Sequence, residues 1–173
     1  MLKGDPTAGF IYFDTCPTNT GCGISGVLPA DMDGYIPPPL GAPCPFVFFE
    51  AGEFGDPADQ LRFFDFHADF AVPGNSTFTE RTGSPLAVAA FDPRVPASGN
   101  GRAHVDQPAP ATAANRLQAL HDRLMFRLSY RNFGGTESLI ANHTVDADAT
   151  ATYRAAVRVY QLNRTSPAGA FTI

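Results

Sequence analysis

The sequence predicts an all-β protein built from antiparallel meanders, and three observations lead there. Residues 123 to 162 read as successive strands joined by turns. Sixteen Gly and sixteen Pro in 173 residues punctuate the chain too often for long helices. Fifteen Phe supply the large flat side chains that fill the space between sheets. With 44% hydrophobic residues the chain can bury a sizeable core as one domain spanning residues 1–173.

In chain order, Phe10 to Phe13 reads as a short strand, and residues 15–45 form a long turn-rich loop holding Asp31, Asp33 and three consecutive prolines. Residues 45 to 50 make a short buried strand, residues 61 to 70 the next, and residues 86 to 91 another. Residues 73 to 84 and 92–114 are connectors rich in Pro, Gly, Ser and Ala, the second of them a long loop. Leu117, Leu120, Leu124 and Leu128 also fall at helical spacing, so a helix over residues 113 to 122 competes with a strand or irregular entry to the meander. The strand or irregular entry is preferred because the alternation that follows is stronger and the chain otherwise reads as β. Leu124, Phe126, Leu128 and Tyr130 alternate with Met125, Arg127, Ser129 and Arg131, which predicts a buried face and a polar one. Asn132-Phe133-Gly134-Gly135 is a turn. Leu139, Ala141, His143 and Val145 then share a face, and Val157, Val159 and Tyr160 anchor a third strand. The meander stops before a fourth strand. That predicts an open sheet edge, or self-association covering it, unless residues 15 to 49 fold back to fill the gap.

Charge excludes some partners. Twelve Lys and Arg, unclustered in a chain of net charge −5, leave no footprint for nucleic acid or an anionic membrane surface. No apolar run reaches the roughly 20 residues of a membrane helix. Cys16 and Cys22, with five residues between them in a Thr/Asn/Gly loop, suit a small disulfide-closed loop, whereas Cys44 lies between two prolines as a free thiol. There is no G-x-S-x-G elbow, P-loop, G-x-G-x-x-G or CxxC motif, and no cofactor is called for.

Four constellations bear on chemistry. Asp65, His67 and Asp69 alternate onto one face of a strand, opposite Phe64, Phe66, Ala68 and Phe70. The two carboxylates would stand roughly 13 Å apart at about 3.3 Å per residue, too far to share a metal ion, although Asp65 and His67 could hold calcium or zinc. A histidine steadied by a neighbouring carboxylate is the structural alternative. Asp31-Met32-Asp33-Gly34 begins like a calcium loop, but Tyr35 and Ala42 stand where an EF-hand needs ligands. Glu137 lies on the second meander strand beside Asn142 and His143, the latter on the apolar face. Arg123, Arg127 and Arg131 recur at every fourth position, on one face, where they could clamp a carboxylate or pair with Glu137 or Asp146.

The strings LPADMDG, PPPLGAP, FHADF, NSTFT, LHDRLMFRLSYRNF, ESLIANHTVDA and VRVYQL, in that order between about residues 28 and 162, resemble a region of large secreted bacterial β-propeller proteins described as sialidase-like or BNR-repeat proteins. The chain departs from that pattern at Phe70 and Val159, where tryptophan is usual, and at Gly135 and Thr136. It also lacks the Asp-box, since it has no Trp. The resemblance implies a secreted chain made of propeller-like blades, or a β-sandwich-like fragment of a larger propeller. It carries over no catalytic set. A secreted module binding carbohydrate or another extracellular polymer is the first functional expectation. The alternative is a glycoside-directed hydrolase with Asp65, Asp69 and Glu137 as carboxylates and Arg127, Arg131 and His67 binding an acidic sugar.

Overall fold

The computed structural model describes residues 10–15, 24, 26–93, 104–110, 112–148, 153–165 and 169–173. The expected Cys16–Cys22 disulfide lies outside them, as do residues 94–103 and 111 of the 92–114 connector. Eight strands form one mixed sheet: β1 (Leu28–Met32), β2 (Cys44–Glu50), β3 (Gln60–His67), β4 (Thr77–Glu80), β5 (Leu86–Ala87), β6 (Leu128–Asn132), β7 (Thr136–Asp146) and β8 (Ala155–Thr165). Their order is β4-β3-β2-β1-β6-β7-β8, with β5 pairing β3 outside that path. The only helical pieces among the described residues are three-residue 3-10 turns. The all-β expectation therefore holds.

The β6-β7-β8 meander forms where the sequence places it, and its first turn is local chemistry. Phe133 N–H donates to Thr136 O at 2.9 Å, Asn132 Oδ1 accepts the N–H of Gly134 at 2.8 Å, and Gly134 takes the positive φ of 86° that glycine permits. Residues 28–32 fold back beside the first meander strand, while β8 on the meander's far side remains an end strand, as the expected open edge requires. β1 runs parallel to β6, with Ala30 opposite Leu128 and Met32 opposite Tyr130, while Leu28 and Pro29 at its start pair with β2. One five-residue strand thus joins two antiparallel groups, and β4 and β8 end the sheet.

The two groups turn apolar faces toward each other. Val47 and Phe49 of β2 and Leu61 and Phe63 of β3 share a core with Leu128, Tyr130, Leu139, Ala141, Tyr160 and Leu162. The Phe49 ring stacks on His143 of β7 at 4.6 Å between centroids, and Phe63 stacks on Phe171 at 5.4 Å. The opposite side of β2-β3-β4 carries a second aromatic layer of Phe46, Phe48, Phe64, Phe66 and Phe78, against which Phe13 packs.

Several expectations need correction. Phe126 is 82% exposed, because β6 begins only at Leu128 and the period-two pattern does not extend back across the irregular residues before it. Val157 and Val159 are exposed as well, so the inward face of β8 is Tyr160, Leu162 and Arg164. Phe10 to Phe13 joins no ladder, and the 61–70 strand ends at His67. The 86–91 strand shrinks to two residues. β1 and β4 form inside segments read as loop and connector. The preferred non-helical entry to the meander is borne out: residues 117 to 122 are not helical, and Leu117 bridges to Val105.

This register makes a direct contrast. Leu139→Ala is expected to lose about 2 to 5 kcal/mol, because its side chain is fully buried between the groups. Phe126→Ala should stay within about 0.5 kcal/mol. Urea titration of both variants measures the difference.

Candidate functional site

β3 and the turn after it separate the three residues that strand alternation had put together. Asp65 faces the core side and forms an ion pair with Arg81, whose guanidinium carbon sits 5.1 Å from the centre of the Phe171 ring. His67, the last strand residue, is exposed. Asp69 lies beyond the strand, where its Oδ1 accepts the N–H groups of Ala71 at 2.9 Å and Val72 at 2.8 Å and its Oδ2 accepts from Asn75. The Val72 bond leads the causes that hold its carboxyl below the usual range. Among the described residues no group of three His, Cys, Asp or Glu side chains could hold a metal ion.

Nor do the arginines make a shared face. Arg123 pairs with its neighbour Asp122. Arg127 reaches back to the end of β1 and pairs with Asp31 at 3.2 Å and with Asp33, so the carboxylates of the calcium-like fragment are engaged by a cation of the chain itself. Arg131 is exposed and lies over Phe133. Neither Glu137 nor Asp146 pairs with any of the three as expected, because Glu137 faces another arginine.

That arginine is Arg164, which sequence reasoning overlooked. Glu137 and Arg164 stand directly opposite each other on β7 and β8, with side chains 0% and 1% exposed. Arg164 Nε donates to Glu137 Oε2 at 2.7 Å, and Nη2 donates to the same oxygen. The Arg164 guanidinium also lies 4.7 Å from the centre of the Phe171 ring. Tyr130 is beside the pair. Burial first, and the Glu137 charge second, push its hydroxyl up to about 12. A signal was present in the sequence: Glu137 shares the period-two face of Leu139, Ala141 and His143, and a buried glutamate requires a cation.

Three recesses bounded by described residues bear on function. A cavity of about 120 Å³ is lined by Met32, Pro38, Pro43, Cys44 and Tyr130, with Arg164 at its wall. Burial raises the Cys44 thiol above its ordinary range. An open groove of about 560 Å³ is bordered by Glu53, Asp92, Asp146 and Asp148, none of them a predicted catalytic residue. Within it, Asp146 Oδ1 accepts the N–H groups of Asp148 and Arg154, both at 3.0 Å, as a turn residue does. The third recess, of about 390 Å³, is aromatic: Phe10, Phe13, Phe66 and Phe70 line it beside Asp69 and Ser76.

No family model, curated protein or solved structure matches the chain.

His143, expected as a core residue, is fully buried among Phe49, Phe91 and Tyr160, with Nε2 3.1 Å from the Tyr160 hydroxyl. Burial lowers its pKa to about 4. The unfolded chain therefore binds a proton near pH 6.5 that the folded chain refuses until about pH 4. Stability is expected to be full above pH 6.5 and to fall by on the order of 3 kcal/mol on acidification to about pH 4. His143→Phe should flatten that segment in urea titrations run across the window. For the ion pair, Glu137→Ala should cost about 3 to 5 kcal/mol by stranding Arg164, and the double variant Glu137→Leu/Arg164→Leu should regain most of the loss. The same titrations at pH 7 test this.

Proposed function

We propose that the chain is a non-catalytic module of a secreted protein that binds carbohydrate or another extracellular polymer. One observation carries this reading: the three carboxylates that a hydrolase would have used are separated into different structural duties. Asp65 is paired with Arg81, Glu137 is buried against Arg164, and Asp69 organises a turn. A glycosidase needs two carboxyl groups about 5 to 9.5 Å apart on either side of the scissile bond, one of them free to give a proton. Residues committed to these partners do not supply that arrangement.

The surface supports binding instead. Phe10, Tyr12 and Phe70 are 78%, 75% and 94% exposed, and Phe10 and Phe70 flank the aromatic recess. Exposed rings grouped on one face mark interaction surfaces, and flat aromatic faces suit the apolar faces of sugar rings. The proposal includes a propeller-type or sandwich-like parentage. Its support is the resemblance of the sequence, the four antiparallel strands β4-β3-β2-β1 and the three-stranded meander beside them. The hydrolase alternative has one observation in its favour, the acidic groove at Glu53, Asp92, Asp146 and Asp148.

Affinity electrophoresis against a panel of neutral and acidic polysaccharides, run beside aryl-glycoside assays, separates the two. Retardation by at least one polymer without glycoside turnover is expected. Phe70→Ala should weaken the retardation about tenfold and leave the melting temperature unchanged. Turnover that disappears in Asp146→Asn would replace the binding reading with the enzymatic one.

A further inference from the structure

An arginine carries five N–H donors in a planar fork. In Arg164 the Nε and Nη2 donors meet Glu137 Oε2, while Nη1, buried with the rest of the side chain, has no hydrogen-bond partner. A buried donor left without an acceptor is costly and rare in folded proteins. This one belongs to a residue that lines the cavity enclosed by the end of β1, the start of β2 and β6. Three of the lining residues are prolines, Pro38, Pro43 and Pro45, which have no N–H to offer. Met32 and Cys44 add further apolar surface. The cavity therefore presents one guanidinium donor, Tyr130 with a buried hydroxyl that also lacks a hydrogen-bond partner, and an otherwise apolar wall.

We propose that this cavity is a binding site for a small neutral acyl group, an amide or ester carbonyl on a short alkyl body, with the carbonyl oxygen accepting from Arg164 Nη1. Size fits: about 120 Å³ holds a group of roughly four to eight non-hydrogen atoms on the scale of water-sized spaces. Charge selects neutrality. Glu137 already balances Arg164, so a second anion would enter an apolar recess with no uncompensated cation to meet it, whereas a carbonyl needs only the spare N–H. The alkyl body would lie against the prolines and Met32. This site goes beyond the polymer-binding proposal and uses none of the residues of the aromatic recess, so either can fail without the other.

Cys44 reports on occupancy, because its half-buried thiol lines the same cavity. The full chain is treated with methyl methanethiosulfonate, and the rate of Cys44 modification is followed by peptide mass spectrometry with N-methylacetamide, acetate or tert-butanol present. N-methylacetamide is expected to slow modification at least threefold, with acetate and tert-butanol at the same concentration having little effect. Ala42→Leu, which fills the cavity from its wall, should abolish the protection while keeping the melting temperature and the polysaccharide retardation of the parent chain. No protection by the amide, equal protection by tert-butanol or acetate, or protection that survives in a folded Ala42→Leu would each overturn the site. If that variant does not fold, the contrast among the three probes in the parent chain decides alone.

Discussion

The buried pair of Glu137 and Arg164 constrains the rest of this structure. Two opposite charges facing each other across β7 and β8 admit only one register. A slip of β8 by one residue would turn Arg164 to the other face together with Tyr160 and Leu162, and leave Glu137 buried without its partner. Such a pair is a poor source of net stability, since desolvation offsets much of its attraction, but a strong penalty against any arrangement that separates it. Its influence extends beyond the meander. Arg164 lies on the Phe171 ring, Phe171 stacks on Phe63 of β3, and Arg81, which holds Asp65, lies over the same ring. Two ion pairs on opposite sheet groups are thereby tied to one phenylalanine near the C-terminal end.

Joining the groups falls to β1, the least sheet-like strand by composition. Its Pro29 occupies the stretch that pairs with β2, and Ala30 to Met32 lie parallel to β6. Beyond its end Asp33 donates its backbone N–H to Tyr130 O at 2.7 Å, and its side chain joins Asp31 in holding Arg127. What looks in sequence like the beginning of a cation loop is therefore a clasp between the loop segment and the meander. The same clasp places Ala30 and Met32 beside Tyr130, and so shapes the cavity at Arg164.

Functionally, the distribution of charge matters more than its amount. Arg62 is held between Glu50 and Glu80 over the rings of Phe48 and Phe64, and Asp59 accepts the backbone N–H groups of Gly52 and Phe91. Carboxylates used in this way brace loops and cover aromatic surface. Exposed aromatic rings flank the recess at Phe10 and Phe70 and recur at Tyr35, Phe126 and Phe133, while acidic side chains border the groove near Asp146.

Period-two alternation by itself determined the meander, the Asn132 to Gly135 turn, the inward face of β7 and the buried state of His143, because each depends on neighbours within a few residues. It failed where a strand ended sooner than the pattern suggested, at Phe126 and after His67, since a side chain leaves water only if its backbone is held in a ladder. It also missed β1 and β4, which are short and owe their strand geometry to partners distant in the chain. For the site, the sequence supplied the titratable residues but not their companions. Asp65 with Arg81 is 16 residues apart, Glu137 with Arg164 is 27, and Arg127 with Asp33 is 94. Only the folded sheet decides which charges meet at such separations, because the pairing follows from strand register and sheet packing rather than from spacing along the chain.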